Sequence, residues 1–207
     1  LADPPPRPGF IDRCLVAAYA GGLTPVLCLT KADLAAPDEY LELYASPNLP
    51  ILVTRFDSHL DTLHQQLAGT VTALIGHSGV GKSTLVNPIL PNADRATGEV
   101  SGVGKGKHTS TSIVALALPE AGWVIDTPGI RSFGLAHVTA SDVVDAFEGF
   151  AEAAEECPRN CGHLGGVDDP DCHLDTFAAE TANADQLHSL RRLLHSRAGL
   201  EDPGTHG

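Results

Sequence analysis

Eight consecutive residues, Gly76-His77-Ser78-Gly79-Val80-Gly81-Lys82-Ser83, match G-x-x-x-x-G-K-[ST] without a mismatch. The run before them, Val71-Thr72-Ala73-Leu74-Ile75, predicts a short buried strand. Thr84-Leu85-Val86-Asn87 after them predicts a helix start, with Pro88 placed to shorten or kink it. Strand, glycine-rich turn and helix start give this motif its physical meaning. Glycines let successive backbone N–H groups converge on phosphate oxygens, and the helix N-terminus adds a favourable field. The candidate phosphate-contacting set is Gly76, Ser78, Gly79, Val80, Gly81, Lys82, Ser83 and Thr84. Lys82 is expected to reach the β- and γ-phosphates, and Ser83 to offer its hydroxyl to Mg²⁺.

A second signature lies downstream. Ser112 to Leu118 and Gly122 to Ile125 predict strands, and the latter runs into Asp126-Thr127-Pro128-Gly129, a D-x-x-G pattern. Asp126 is placed to hold Mg²⁺ through water, and Gly129 to present its N–H to the γ-phosphate. Between the signatures, residues 93–111 are rich in Gly, Ser, Thr and Lys and include Gly104-Lys105-Gly106-Lys107-His108-Thr109-Ser110-Thr111. That composition predicts a loop that orders on ligand, with a threonine hydroxyl on Mg²⁺. Together these features predict a Mg-nucleoside triphosphate site.

The base is read upstream. Residues 1–9 are proline-rich and expected to be extended. Gly9 to Ala20 predicts a helix whose inward face carries Ile11, Cys14, Leu15 and Ala18, ended by Gly21-Gly22. The strand expected over Pro25–Leu29 leads into Thr30-Lys31-Ala32-Asp33. A carboxylate at the C-terminal edge of a parallel strand lies where α/β proteins bind ligands. Asp33 could accept from the N1 and N2 donors of guanine, a pair adenine lacks, while the Lys31 stem packs over the base. Residues 38–46 predict a helix and Ile51–Thr54 a strand, with Arg55-Phe56-Asp57-Ser58 near the base. Leu60, Leu63 and Leu67 mark the next core-facing helix.

Position 130 is Ile, where Ras-type switches carry the glutamine that orients attacking water. Hydrolysis by the chain alone is therefore expected to be slow unless another group places the water. His108 is the candidate within the chain, and a partner's group is the alternative.

Net charge and cysteines bound the rest. The 207 residues suffice for one sizeable domain with an appendage, or for two small ones. A formal charge of -13 argues against broad non-specific nucleic-acid binding. It leaves docking through local patches such as Lys105, Lys107 and His108, or Arg191, Arg192, His195 and Arg197. No apolar run is long enough for a membrane span, and no secretory signal is visible at the start. With no Met at all, a processed or partial chain is expected.

Cys14 and Cys28 sit in apolar segments and are expected to be buried thiols. The other three crowd between residues 157 and 172. Cys157, Cys161, His163 and Cys172 make a complete tetrahedral Zn²⁺ set, which leaves no position for water and so predicts a structural metal. His173 is the alternative histidine, awkward because it adjoins Cys172. Asp168, Asp169 and Asp171 fall on the connecting loop. Helices are expected over 141–150, capped by Ser141 and continuing to 156, and over 174–198, with Leu187, Leu190, Leu193 and Leu194 as an apolar stripe.

The signatures come in an unusual order, with the base-recognition element before the phosphate loop. If all serve one nucleotide, the domain is circularly permuted, which relocates termini and preserves the sheet. In this order the chain resembles the circularly permuted, small-subunit-dependent GTPases of the RsgA (YjeQ) family, from about Arg7 to Arg197. The likeness is carried by Asp12-Arg13, Thr30 to Leu34, Gly76 to Asn87, Gly104 to Thr111, Asp126 to Leu135 and the cysteine–histidine cluster.

The resemblance implies an α/β fold: a circularly permuted P-loop GTPase domain with a C-terminal, mostly helical zinc-binding domain. On this chain that means an extended segment over 1–9, the GTPase domain over 10–140 and the zinc-binding domain over 141–207. It implies GTP as substrate, GDP and phosphate as products, and Mg²⁺ and Zn²⁺ as cofactors. It further implies late maturation of the small ribosomal subunit in the cytoplasm, with hydrolysis stimulated by that subunit. Thr30, Lys31 and Asp33 then serve the base, and Thr109 to Thr111 form the first switch. An expected partner is the subunit's rRNA, bound more weakly without the family's N-terminal OB-fold; a monomer with no membrane contact is expected. Thr30 stands where the family more often has Asn, and the gap to Cys172 is longer than usual. The competing readings are a Mg-GTP-binding switch or scaffold with negligible intrinsic hydrolysis, and an ATPase with a zinc appendage.

Overall fold

The computed structural model describes residues 4–46, 48–55, 61–89, 113–119, 121–129 and 134–199. Among them are helices α1 (Pro8–Ala20), α2 (Asp38–Leu43), α3 (Asp61–Leu67), α4 (Lys82–Ile89), α5 (Ala140–Asp145), α6 (Phe150–Ala154), α7 (His173–Thr181) and α8 (Ala184–Ala198). The strands are β1 (Leu27–Leu29), β2 (Ile51–Val53), β3 (Val71–Leu74), β4 (Val114–Ala117) and β5 (Trp123–Asp126).

The described residues of 1–6, 27–39 and 51–132 form one compact unit, and those of 7–26, 40–50 and 133–207 a second. The division is not sequential. Helix α1 and residues 40–50 pack with the C-terminal helices, whereas the sequence reading grouped residues 10–140.

In the first unit, β1 pairs in parallel with β2. A separate sheet runs β3-β5-β4, parallel between β3 and β5 and antiparallel between β5 and β4. Leu63, Leu67, Val86, Leu116 and Val124 form its buried core. Strand β3 differs from the expected fully buried run: it alternates, and Val71 is 70% exposed. Its pattern is that of a half-buried strand with period two.

The second unit is helical. Pro8 opens α1, where its missing N–H costs nothing, and the Gly21 N–H closes it on the Ala17 carbonyl. The buried residues of α1 are Phe10, Asp12 and Val16, not the predicted face, because the buried position is held by a charge. Asp12 accepts from the Tyr44 hydroxyl at 2.9 Å and pairs with Arg192 of α8. The cap of α5 is Thr139 rather than Ser141. The Asp142 N–H donates to the Thr139 hydroxyl at 3.1 Å, and the Thr139 N–H donates to the Asp142 carboxylate at 2.6 Å. The expected continuous helix to 156 is broken at Gly149 (φ 80°), and that over 174–198 at Ala182 (φ 58°). Val143, Phe150, Leu174, Leu190 and Leu193 are fully enclosed in the core.

Candidate functional site

The register of β3 on β5 brings the two phosphate signatures together. Leu74 lies opposite Asp126 in a parallel pair, so the chain leaves both strands at the same end. One exit leads into Gly76–Ser83 and the other into Asp126–Gly129. The Thr127 hydroxyl donates to the Leu74 carbonyl and locks the second exit against the first. Gly129 then meets the phosphate loop: a Cβ built on it would stand 2.6 Å from the Ser78 amide nitrogen, closer than any side chain allows. This approach is why the fourth position of the D-x-x-G pattern here has to be glycine.

The Thr30–Asp33 tetrapeptide joins the same end. Thr30 follows β1 directly, and its hydroxyl donates to the Val80 carbonyl at 2.5 Å. A Cβ on Gly81 would lie 3.6 Å from the Thr30 side chain. The turn is pinned from β2, because the Ala32 N–H donates to the Thr54 carbonyl and the Leu34 N–H to that of Lys31. Lys31 takes a left-handed φ of 59°, and Asp33 is exposed at the turn.

Lys82 opens α4, with Ser83 and Thr84 exposed on the first turn. The Lys82 ammonium donates to the carbonyls of Gly76 at 2.7 Å and His77 at 3.2 Å. Burial holds its pKa below the ordinary lysine value, and the nearby Asp126 carboxylate pulls the other way. Asp126 Oδ1 is buried and has no hydrogen-bond partner among the described residues. A buried carboxylate oxygen without a donor is costly unless it meets a cation. With the Ser83 hydroxyl on the adjoining turn, the donor set is all oxygen, the chemistry of Mg²⁺. His108, Thr109, Thr111 and Ile130 lie outside the described residues.

The second unit holds the other candidate centre. One donor atom each from Cys157, Cys161, His163 and Cys172 lies within 4.8 Å of all the others. The Cys161 N–H donates to the Pro158 carbonyl and so tightens the first pair, and Cys172 caps α7. His163 presents Nδ1, which is 3.9 Å from Cys172 Sγ. Burial, and then the neighbouring thiols, push the Cys161 thiol up to about 12. Burial lowers the His163 imidazole, so the ring is kept neutral and able to ligate. Three soft sulfurs and one imidazole in a compact group fit tetrahedral Zn²⁺. His173 Nε2 instead lies 3.5 Å from a Glu156 carboxylate oxygen, and His173 is not part of the compact donor group.

The arginines of α8 are not a free basic patch. Arg191 makes two bonds to Asp175, at 2.6 and 2.7 Å, Arg192 pairs with buried Asp12, and Arg197 Nε donates to the Val138 carbonyl at 2.7 Å. His195 is buried. The basic cluster around Lys105 lies outside the described residues. The second unit also carries a partly open cavity of about 490 Å³ lined by Asp12, Tyr19, Tyr44 and Asp142, among others. Of its lining residues only Asp12 falls in a stretch that carries the family likeness. Among the described residues no helix is long and apolar enough to cross a membrane.

Comparisons with known proteins agree with this geometry. A sequence model of the family described as RsgA GTPase matches residues 1–136. The small ribosomal subunit biogenesis GTPase RsgA of Pseudomonas putida is 42% identical over 206 residues, covering 94% of this chain and 59% of that protein. The chain thus spans little more than half the length of this relative. The crystal structure of YjeQ from Thermotoga maritima superimposes with a TM-score of 0.72 at 26% identity, over 96% of this chain and 68% of that one. The fold is also that of YloQ, a circularly permuted GTPase, with a TM-score of 0.65 at 21% identity over 95% of this chain and 64% of that one. The permuted P-loop fold expected from the order of the signatures is therefore the fold observed. The family match begins before the base-recognition turn and runs past Gly129, and by it this chain belongs to the RsgA GTPase family.

Proposed function

We propose that the chain binds Mg-GTP where β1, β3 and β5 end, hydrolyses it slowly alone, and does so faster on the small ribosomal subunit as part of that subunit's late maturation. The observation that carries this reading is the meeting of three sequence-distant elements at one place. Thr30 bonds to Val80, and Gly129 abuts Ser78. The Pseudomonas putida relative is a small ribosomal subunit biogenesis GTPase, and this supports the ribosomal role.

In this reading Asp33 accepts from the guanine edge and the Lys31 stem covers the base. The amides from Gly76 through Thr84 cradle the phosphates, and Lys82 moves from the Gly76 and His77 carbonyls onto phosphate oxygens. Mg²⁺, when bound, would neutralise phosphate charge. Ser83 and Asp126 would hold it, with Thr109 or Thr111 from the first switch. The Gly129 N–H holds the γ-phosphate, and His108 or a ribosomal group orients the attacking water. Cys157, Cys161, His163 and Cys172 would hold a structural Zn²⁺ in the helical unit. The protein works in the cytoplasm as a monomer, touching rRNA through local contacts.

The test is GTP hydrolysis by the full-length protein with and without purified small subunits. Stimulation is expected, and unchanged turnover would overturn the ribosomal reading. ATP displacing GTP would overturn the base assignment. Ile130 favours a second reading, a Mg-GTP-dependent switch with negligible turnover of its own. Tight GTP binding without hydrolysis in either condition would support it.

A further inference from the structure

The loop that joins the second metal ligand to the fourth has a difficult task. It must fold so that the His163 ring and the Cys172 sulfur converge, though they are nine residues apart. It does so with His163 itself in a left-handed conformation, φ 60°, which a non-glycine residue adopts only when held there.

Two side chains do the holding. The amides on either side of His163 both point at Asp169: the Gly162 N–H donates to Oδ1 at 3.0 Å, and the Leu164 N–H donates to Oδ2 at 2.8 Å. One carboxylate thus grips the backbone before and after the ligand. From α8, Arg191 Nε donates to the His163 carbonyl at 3.3 Å while its terminal nitrogens bind Asp175 in α7, three residues beyond Cys172. A further contact independently fixes the path of Arg191. A Cβ on Gly165 (φ 73°) would overlap the guanidinium, which crosses directly over that residue.

We infer that Asp169 and Arg191 are positioning residues for the metal centre: they hold the 161–172 loop so that His163 offers Nδ1 to the ion, and neither is itself a ligand. The inference rests on the zinc reading of the four ligands. Asp169 has both oxygens committed to amides and stands outside the compact donor group. Arg191 adds a second contribution. Its guanidinium ties the His163 carbonyl to Asp175 of α7, joining the stretches that carry the third and fourth ligands.

The experiment uses this full chain, purified with zinc, and two readouts besides activity: zinc affinity by competition with a chromophoric chelator, and the visible spectrum after cobalt substitution. Asp169→Ala is expected to weaken zinc binding ten- to a hundredfold, the usual effect of removing such a partner, and to alter the cobalt d–d bands. Asp169→Glu should restore most of both. Arg191→Lys keeps the charge but loses the fork to Asp175, and a fall in affinity of about tenfold is expected. Thr139→Ala, which removes the cap of α5 and lies outside the 161–172 loop, should lower the melting temperature and leave zinc affinity within about twofold of the parent. Parent-like affinity and cobalt spectra in both Asp169→Ala and Arg191→Lys would overturn the inference while leaving the zinc reading intact. A parent chain without stoichiometric zinc would overturn the zinc reading and the inference with it.

Discussion

The hydroxyl of Thr30 donates to the carbonyl of Val80, fifty residues away, at 2.5 Å. This bond couples the Thr30–Asp33 turn to the phosphate loop, so that a nucleotide bound as proposed would be gripped by one connected surface. Replacing Thr30 with Val keeps the shape and removes the donor. Guanine-nucleotide affinity should fall about fivefold to tenfold, the scale of one lost hydrogen bond of about 1 kcal/mol. Thr30→Ser should stay near the parent. Titration with a fluorescent GDP analogue reads both.

Gly129 admits no side chain. An added methyl group would meet the Ser78 amide at 2.6 Å, and backbone cannot swing aside as a side-chain end can. Gly129→Ala is expected to displace the phosphate loop, weakening GTP binding at least tenfold and abolishing stimulated hydrolysis. Equilibrium binding and phosphate release measure the two effects separately. Unchanged GTP affinity would contradict the close approach.

Asp126 Oδ1 is the buried oxygen among the described residues best suited to a cation. Asp126→Asn keeps the size and removes the charge. Nucleotide affinity in the variant should lose most of its dependence on Mg²⁺ concentration, which a titration at several Mg²⁺ levels would show. Lys82→Ala should instead weaken binding at every Mg²⁺ level, because it removes the phosphate contact proposed for this lysine.

Metal removal should loosen the helical unit. Chelation, or Cys157→Ser, takes away the tie between α6, the ligand loop and the start of α7. Amide hydrogen exchange should speed up across residues 157–181. If protection there is unaltered by chelation, the metal is not structural.

Acid should weaken the same unit through Asp175 and Asp142. The hydrogen bonds from Arg191 hold the Asp175 carboxyl below its ordinary range, and those from Thr139 do the same for Asp142. A carboxyl with a lowered folded-state pKa stabilises above its unfolded value, near 4, and that stability is lost as pH falls through the folded value. Burial raises Asp12, so its contribution has the opposite sign and diminishes as pH rises through its folded value. The Thr139→Ala variant should therefore have a lower urea midpoint than the parent at pH 7. The gap should narrow as the pH drops below about 4.

The signatures were legible because their chemistry admits few residue types. Phosphate cradles need glycines, thiolate metal sites need cysteines, and both survive a change in chain order. Packing was read less well. In α1 the stripe drawn through Ile11, Cys14, Leu15 and Ala18 avoided Asp12, yet Asp12 is 4% exposed because Arg192 and Tyr44 satisfy it. A hydrophobic pattern cannot anticipate a buried charge whose partner is 180 residues away. The α8 arginines read as a docking patch for the same reason: their partners, the Asp175 and Asp12 carboxylates and the Val138 carbonyl, lie elsewhere in the sequence. The break at Ala182 was also hidden, since alanine carries no signal for a left-handed turn. Asp169 was visible only as one of three loop acids, and its grip on two amides required coordinates.

Arg191 and Arg192 are adjacent on α8, separated by about 100° of helical rotation, and they hold opposite clients. One secures the cysteine–histidine loop and the other secures α1. An insertion or deletion of a single residue earlier in α8 would turn both guanidinium groups through that angle and release both clients at once. Helix α8 should therefore tolerate many substitutions on its exposed side but no change in length ahead of Arg191. Its spacing from the Asn183 cap behaves as a fixed phase, set by two attachments that no single substitution elsewhere could re-time together.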